Sequence, residues 1–143
     1  MSVFSENVRQ DIEKYGVSII YVGDENPPFA YTVGLWLKHQ HPELIIFGLS
    51  DRVMWSLLNE IAELVGEGQR FTSRAFLPGI GGKFGVTIEP AQKKFLDAYF
   101  GFALGFYEEQ FPIAQVIWPD KKGHFPGDAG YNTAYEKLQP VLV

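Results

Sequence analysis

Hydrophobic and polar positions along this chain fall into blocks whose period switches between that of a helix and that of a strand. Val8, Ile12 and Tyr15 recur at helical spacing behind Ser5, a residue suited to capping a helix start, and Gly16 supplies a stop. Val17 to Val22 is a β-branched and aromatic run ending in the turn-forming tract Gly23-Asp24-Glu25-Asn26-Pro27-Pro28. A second run, Phe29 to Leu37, follows so closely that the two predict an antiparallel hairpin. Polar Lys38 to His41 and then Pro42 interrupt the pattern before a third strand, Leu44 to Leu49. Ser50 and Asp51 open the best-defined helix. Its apolar positions Met54, Leu57, Leu58, Ile61 and Val65 share one face, Asn59, Glu60, Glu63 and Glu67 lie elsewhere, and Gly66 and Gly68 mark its end.

Gln69 to Gly82 is rich in Pro and Gly and reads as a long ordered loop, with room for a short strand near Phe71. Lys83 to Glu89 alternates as a strand, with Phe84, Val86 and Ile88 facing one way. After Pro90, the stretch Ala91 to Gln110 has helical length and carries Phe95, Tyr99, Phe102 and Phe106 as a stripe. Leu96, Phe100, Ala103 and Leu104 widen it, which predicts burial on more than one side. Ile113 to Trp118 is the last strand, halted by Pro119, and the remainder is turn-rich. No repeat or linker divides the chain. The prediction is one α+β domain over residues 1–143, with three helices and a largely antiparallel sheet of about five strands, open or barrel-like.

Composition narrows the function classes. A net charge of -5 with no cluster of Lys or Arg argues against a nucleic-acid polymer as partner. The absence of cysteine excludes thiolate nucleophiles and cysteine-ligated metals. No apolar run approaches the roughly 20 residues of a membrane span and no signal core opens the chain, so a cytoplasmic protein is expected. Aromatic residues make up 15% of the chain, enough both to build a core and to line a pocket.

Candidate chemistry concentrates between Ala114 and Tyr131, where Trp118, Pro119, Asp120, His124 and Asp128 fall on backbone that Pro and Gly keep irregular. Trp118-Pro119-Asp120 resembles the acid loop of protein tyrosine phosphatases, but that chemistry needs a cysteine and the chain has none. A strand-ending corner, with Asp120 capping a turn, accounts for the same residues. His124 beside Asp120 and Asp128 fits an acid/base pair. The other two histidines, His39 and His41, lie far off in sequence, and no metal site is assigned. His41 and Glu43, around Pro42, are read either as ligand contacts or as groups satisfying a turn, and Thr32 as a hydroxyl on an inner strand. The glycine-rich loop containing Gly81, Gly82 and Lys83, with Arg74 nearby, offers backbone amides and charge to an anion. It matches neither the Walker loop nor the dinucleotide fingerprint, and a plain connector explains it equally.

Several of these segments together resemble a bacterial family catalogued as domain of unknown function 4262. The resemblance rests on Tyr15-Gly16-Val17, Phe29-Ala30-Tyr31-Thr32-Val33-Gly34-Leu35, His41-Pro42-Glu43-Leu44-Ile45-Ile46-Phe47-Gly48-Leu49, Leu57-Leu58-Asn59, Gly68, and Gln115 with Trp118-Pro119-Asp120, Gly123, Phe125-Pro126 and Gly130-Tyr131. It implies no established activity or cofactor. Where members resemble Phe-Pro-Trp-Asp, this chain reads Phe125-Pro126-Gly127-Asp128. At the level of strand order alone the chain is also similar to flavin-binding split barrels, which nominates flavin as a ligand to test.

The leading expectation is a binding domain for a planar anionic small molecule of the nucleotide or flavin class, acting as a sensor or a sequestering protein. Tyr31, Trp36 or Trp118 would stack on the ligand, Arg74, Lys83 and the amides of Gly81 and Gly82 would hold its anion, and Asp120 with His124 would fix its polarity, with Thr32, His41, Glu43 and Asp128 as further polar candidates. One alternative is a protein-interaction module of the immunity or inhibitor type with an acidic, aromatic-rich surface, in which Ala91 to Gln110 forms a homo-oligomer interface. The other is a hydrolase using Asp120, Asp128 or Glu43 with His124. No catalytic residue and no cofactor is assigned.

Overall fold

In the computed structural model, which describes residues 2–143, six strands form one open sheet. The chain begins with helix α1 (Val3–Tyr15) and the hairpin β1 (Ser18–Val22) and β2 (Phe29–Val33). A short helix α2 (Leu35–His39), strand β3 (Glu43–Phe47) and the long helix α3 (Asp51–Gly66) follow. Strands β4 (Ala75–Leu77) and β5 (Val86–Ala91) lead into helices α4 (Leu96–Tyr99) and α5 (Gly101–Tyr107), and β6 (Ile113–Ile117) precedes a C-terminal 3-10 turn, Thr133–Lys137. The spatial order is β1-β2-β3-β6-β5-β4. All neighbours are antiparallel except β3 and β6, which run parallel and pair Glu43 with Ile113 and Ile45 with Gln115. The fold is therefore α+β with a mostly antiparallel sheet. It has six strands and five α-helices rather than about five and three, and it does not close into a barrel, because β1 and β4 end the sheet.

Helices cover both faces of this sheet. Ala30, Leu44, Ile46, Val86, Ile88, Ala114 and Val116 join Met54, Leu57, Leu58, Ile61 and Val65 of α3 in one core. Phe29, Tyr31, Val33, Ile45, Phe47 and Ile113 form the other with Val8 and Ile12 of α1, Leu96 of α4 and Ala103 of α5. In β2, β3, β5 and β6, residues of even and odd number thus part to opposite faces, as a period of two requires. Strands β2, β3 and β6 are buried at every position, which is why they read as unbroken apolar runs rather than alternating ones.

Four sequence-based expectations give way to specific contacts. Helix α1 is capped by Ser2, whose Oγ accepts the N–H of Ser5, so Ser5 lies in the first turn. The strand expected over Phe29 to Leu37 stops at Gly34, which adopts φ 124°, and Leu35 to His39 coil into α2 because a buried carboxylate collects their amides. No strand forms at Phe71, which is buried against His41, and the short β4 lies four residues further on. Finally, the single helix over Ala91 to Gln110 is absent. Strand β5 runs through Pro90 to Ala91, and Phe100 (φ -108°, ψ 37°) breaks what remains into α4 and α5. Pro90 lies beyond the end of β4, so its missing N–H costs no bond on that side. Burial in α4 and α5 is confined to Leu96 and Ala103, with Phe100 at the break wedged between Tyr31 and Phe111, so these helices cover one face of the sheet.

Candidate functional site

Glu43 stands at the start of β3, fully buried, with five donors around its carboxylate. Oε1 accepts from the Thr32 hydroxyl at 2.8 Å and the Leu35 amide at 3.2 Å, while Oε2 accepts from the amides of Gly34 and Trp36 and from the Tyr107 hydroxyl. Burial raises the Glu43 pKa above its usual value, against the pull of Tyr107, Thr32 and the backbone amides. Every neighbour is a donor, so the shell is matched to the ionised form. The same anion satisfies amides that a helix start leaves orphaned, which explains how a helix as short as α2 persists. With no lone pair facing an open space, Glu43 holds the end of the hairpin, α2 and α5 together.

His41 is a second internal staple. Its Nε2 accepts the Phe71 amide at 2.8 Å, which places the ring proton on Nδ1, 2.8 Å from the Pro42 carbonyl oxygen. Burial lowers its pKa, and the nearby Arg70 and His39 lower it further against the Pro42 bond. Arg70 donates to the carbonyls of His39 and Gln40 at the C-terminal end of α2. Tyr31 packs between Phe29 and Phe100, and burial pushes its hydroxyl pKa up to about 12. Trp36 is half-exposed and donates from Nε1 to Glu109.

The tract after β6 is built the same way. Trp118 is buried and donates from Nε1 to the Phe47 carbonyl at 2.7 Å, bridging the ends of the two parallel strands. Asp120 Oδ1 accepts the amides of Lys122 and His124, and Oδ2 accepts that of Asn132. Burial works to raise its pKa, but those amides outweigh it and hold the carboxyl below the usual range. His124 Nδ1 lies 3.5 Å from Asp120 Oδ2 without a hydrogen bond, and Asp128 Oδ2 accepts the Phe125 amide. Beyond the loop, the side-chain amide of Gln139 bonds both backbone groups of Trp118, and that of Gln115 bonds Pro140 and Leu142. The last residues thus strap across the crevice where β3 and β6 end, the place where open sheets with parallel strands often take ligands. Gly48 shows how tightly: a Cβ there would sit 2.2 Å from the Leu138 oxygen.

The candidate residues do not gather at one place. Thr32, Trp36, His41 and Glu43 cluster where β3 begins, whereas Trp118 and Asp120 lie where the parallel β6 ends, at the opposite end of this central strand pair. The glycine-rich loop joins the second group, since Gly123 packs on Phe84, next to Lys83. Gly81 meets Val86 and Leu57, Lys83 lies over the Phe84 ring, and Arg74 pairs loosely with Glu89 at 3.9 Å.

A cleft of about 610 Å³ opens elsewhere, lined by Asp11 and Tyr15 of α1, Val17, Ser18 and Ile19 at β1, and Trp55, Ser56, Asn59, Glu60 and Glu63 of α3. Smaller clefts extend it at both ends, one bringing Gly16, His39 and Gly66 and the other Tyr21, Asp51 and Arg52. None of the thirteen sequence-nominated residues lines these three clefts. Since α1 and α3 cover opposite faces, a cleft walled by both lies against the outer side of β1, which pairs with β2 alone. Trp55 is 59% exposed in it. One signal in the sequence marks this wall: Trp55, Asn59 and Glu63 recur every fourth residue on the polar side of α3, and a large ring there has no core to fill.

The family model described as domain of unknown function DUF4262 matches residues 11–132. The chain belongs to that family. The DUF4262 match takes in the cleft from Asp11 onward, the Glu43 and His41 clusters, and the Asp120 loop up to Asn132, its last bonded amide. The C-terminal strap lies beyond the matched span. No curated protein and no solved structure matches the chain significantly. No helix among the described residues is long and apolar enough to cross a membrane.

Proposed function

We propose that this protein is a protein-interaction module that receives an extended segment of a partner along the outer edge of β1. The observation that carries the reading is the cleft whose floor is an unpaired strand edge and whose walls are α1 and α3. An edge strand presents unpaired amides and carbonyls, and a peptide that adds to it gains main-chain bonds while its side chains reach both walls. The polar residues at Glu43, His41 and Asp120 are spent on the protein's own backbone, which favours binding over hydrolysis. A planar small molecule stacked on Trp55 is the second reading, favoured by a cleft volume within the range of ligand pockets. The carboxylates of Asp11, Glu60 and Glu63 oppose a nucleotide or flavin phosphate in this cleft.

Selection from a displayed library of random decapeptides, followed by amide NMR of the complex, tests this reading. Selected peptides are expected to shift and protect amides of Ser18 to Val22, and to lose binding when their own backbone is N-methylated at alternate residues. Binders that leave those amides unchanged would remove the strand-edge reading.

A further inference from the structure

Building on that strand-edge reading, we infer that the segment is basic, with Lys or Arg side chains facing both walls of the cleft. The main cleft is lined by three carboxylates, Asp11, Glu60 and Glu63, and by no Lys or Arg. These anions are divided between the two helical layers: Asp11 stands on α1, where its Oδ2 accepts the Ser18 hydroxyl at 2.9 Å, and Glu60 and Glu63 stand on α3. An added strand sends alternate side chains to opposite faces, so cations on either side of it meet a carboxylate.

The cleft also has a direction. Tyr21 neighbours Asp51, Arg52 and Trp55 at the start of α3, whereas Val17 neighbours Glu63 and Gly66 at its end, so α3 runs antiparallel to β1. Charge is balanced at the Trp55 end, where Arg52 offsets Asp51, and it is net negative at the end held by Asp11, Glu60 and Glu63, where Lys14, over the Tyr15 ring, offsets only part of it. The five residues of β1 set the length of the contact at roughly 17 Å. An occupant would lay a bulky or guanidinium side chain over the exposed face of Trp55 and its basic residues over the carboxylates.

Fluorescence anisotropy with three labelled decapeptides tests the inference: repeats of Val-Val-Lys-Lys, of Val-Val-Thr-Thr and of Val-Val-Glu-Glu, written Val-Lys, Val-Thr and Val-Glu below, in which each adjacent pair of like residues faces opposite walls. The Val-Lys peptide is expected to bind most tightly, to weaken with added salt, and to lose about fivefold in affinity when Glu60→Gln and Glu63→Gln are combined. Both glutamates are exposed, and circular dichroism verifies that the double variant folds. Equal binding of the Val-Thr peptide would overturn the charge requirement and leave the strand-edge reading standing. Undiminished binding of a backbone N-methylated Val-Lys peptide would overturn the strand edge and leave only electrostatic attraction. Failure of all three peptides, or concentration-dependent dimerisation that protects the amides of β1, would overturn the inference.

Discussion

The Tyr107 hydroxyl donates to Oε2 of Glu43 at 2.5 Å across 64 positions of sequence, and so ties α5 to the strand at the centre of the sheet. That hydroxyl also accepts the Gly34 amide at 2.9 Å, so Tyr107 shares in capping α2. Burial, together with the charge of Glu43, raises its pKa and keeps it a donor.

Replacing Glu43 therefore damages more than replacing Tyr107. Glu43→Gln presents an amide NH2 to a shell of donors and is expected to cost about 3 kcal/mol or more in urea denaturation. Tyr107→Phe leaves the carboxylate four donors and is expected to cost about 1–2 kcal/mol.

His41 makes the fold sensitive to mild acid. Its folded pKa lies below the ordinary 6.5, so its contribution is complete above that value and is lost as pH falls toward the folded pKa, where the unfolded chain already holds the proton. Melting temperature is expected to decline as pH drops below 6.5. A His41→Gln variant can retain an acceptor for Phe71 without titrating, and its profile over the same interval should be flatter.

For Asp120 the sign is the same but the window lies lower. Its pKa is held below 3.8, so its stabilisation is present above that value and is lost on stronger acidification. Asp120→Ala strands three backbone amides at neutral pH and is expected to lower the melting temperature, with faster amide exchange at Lys122, His124 and Asn132. Asp128→Ala removes one acceptor and should cost about 1 kcal/mol.

The strap across the ends of β3 and β6 is open to a single methyl group. Gly48 adopts φ 77° and abuts the Leu138 carbonyl, so Gly48→Ala is expected to displace residues 138–143. Carboxypeptidase should then digest the C-terminal residues at least several-fold faster than in the parent protein. Equal rates would show that the backbone gives way elsewhere.

Local pattern was most legible where one face of an element decided its fate. Helix α3 begins behind Ser50 as its capping pattern predicts, and β1 falls within the expected run, because burial of one side marks residues three or four apart in a helix and two apart in a strand. The run Phe29 to Leu37 misled because its apolar content suits either state. What ends the strand is the Glu43 carboxylate, seven to nine residues away and invisible to a window on Gly34 and Trp36. Phe95 to Phe106 carried helical spacing, yet Gly101 and Gly105 weaken a helix there and the pocket between Tyr31 and Phe111 fixes Phe100 at a break.

By itself, then, the sequence determined the α+β class, the family, most element positions and the polar residues that hold irregular backbone in place. Glu43, His41 and Asp120 were recognisable as special, since a polar group flanked by Pro, Gly and strand must find a partner. Only the tertiary structure decided what Glu43 and His41 do, because Tyr107 and Phe71 lie on distant segments and their bonds consume lone pairs, whereas Asp120 bonds amides of its own loop, as a turn cap does. It also decided where an unpaired surface lies. Which strand ends a sheet, and which helices flank it, depends on pairing between distant segments, and no local period in Ser18 to Val22 or around Trp55 encodes that order.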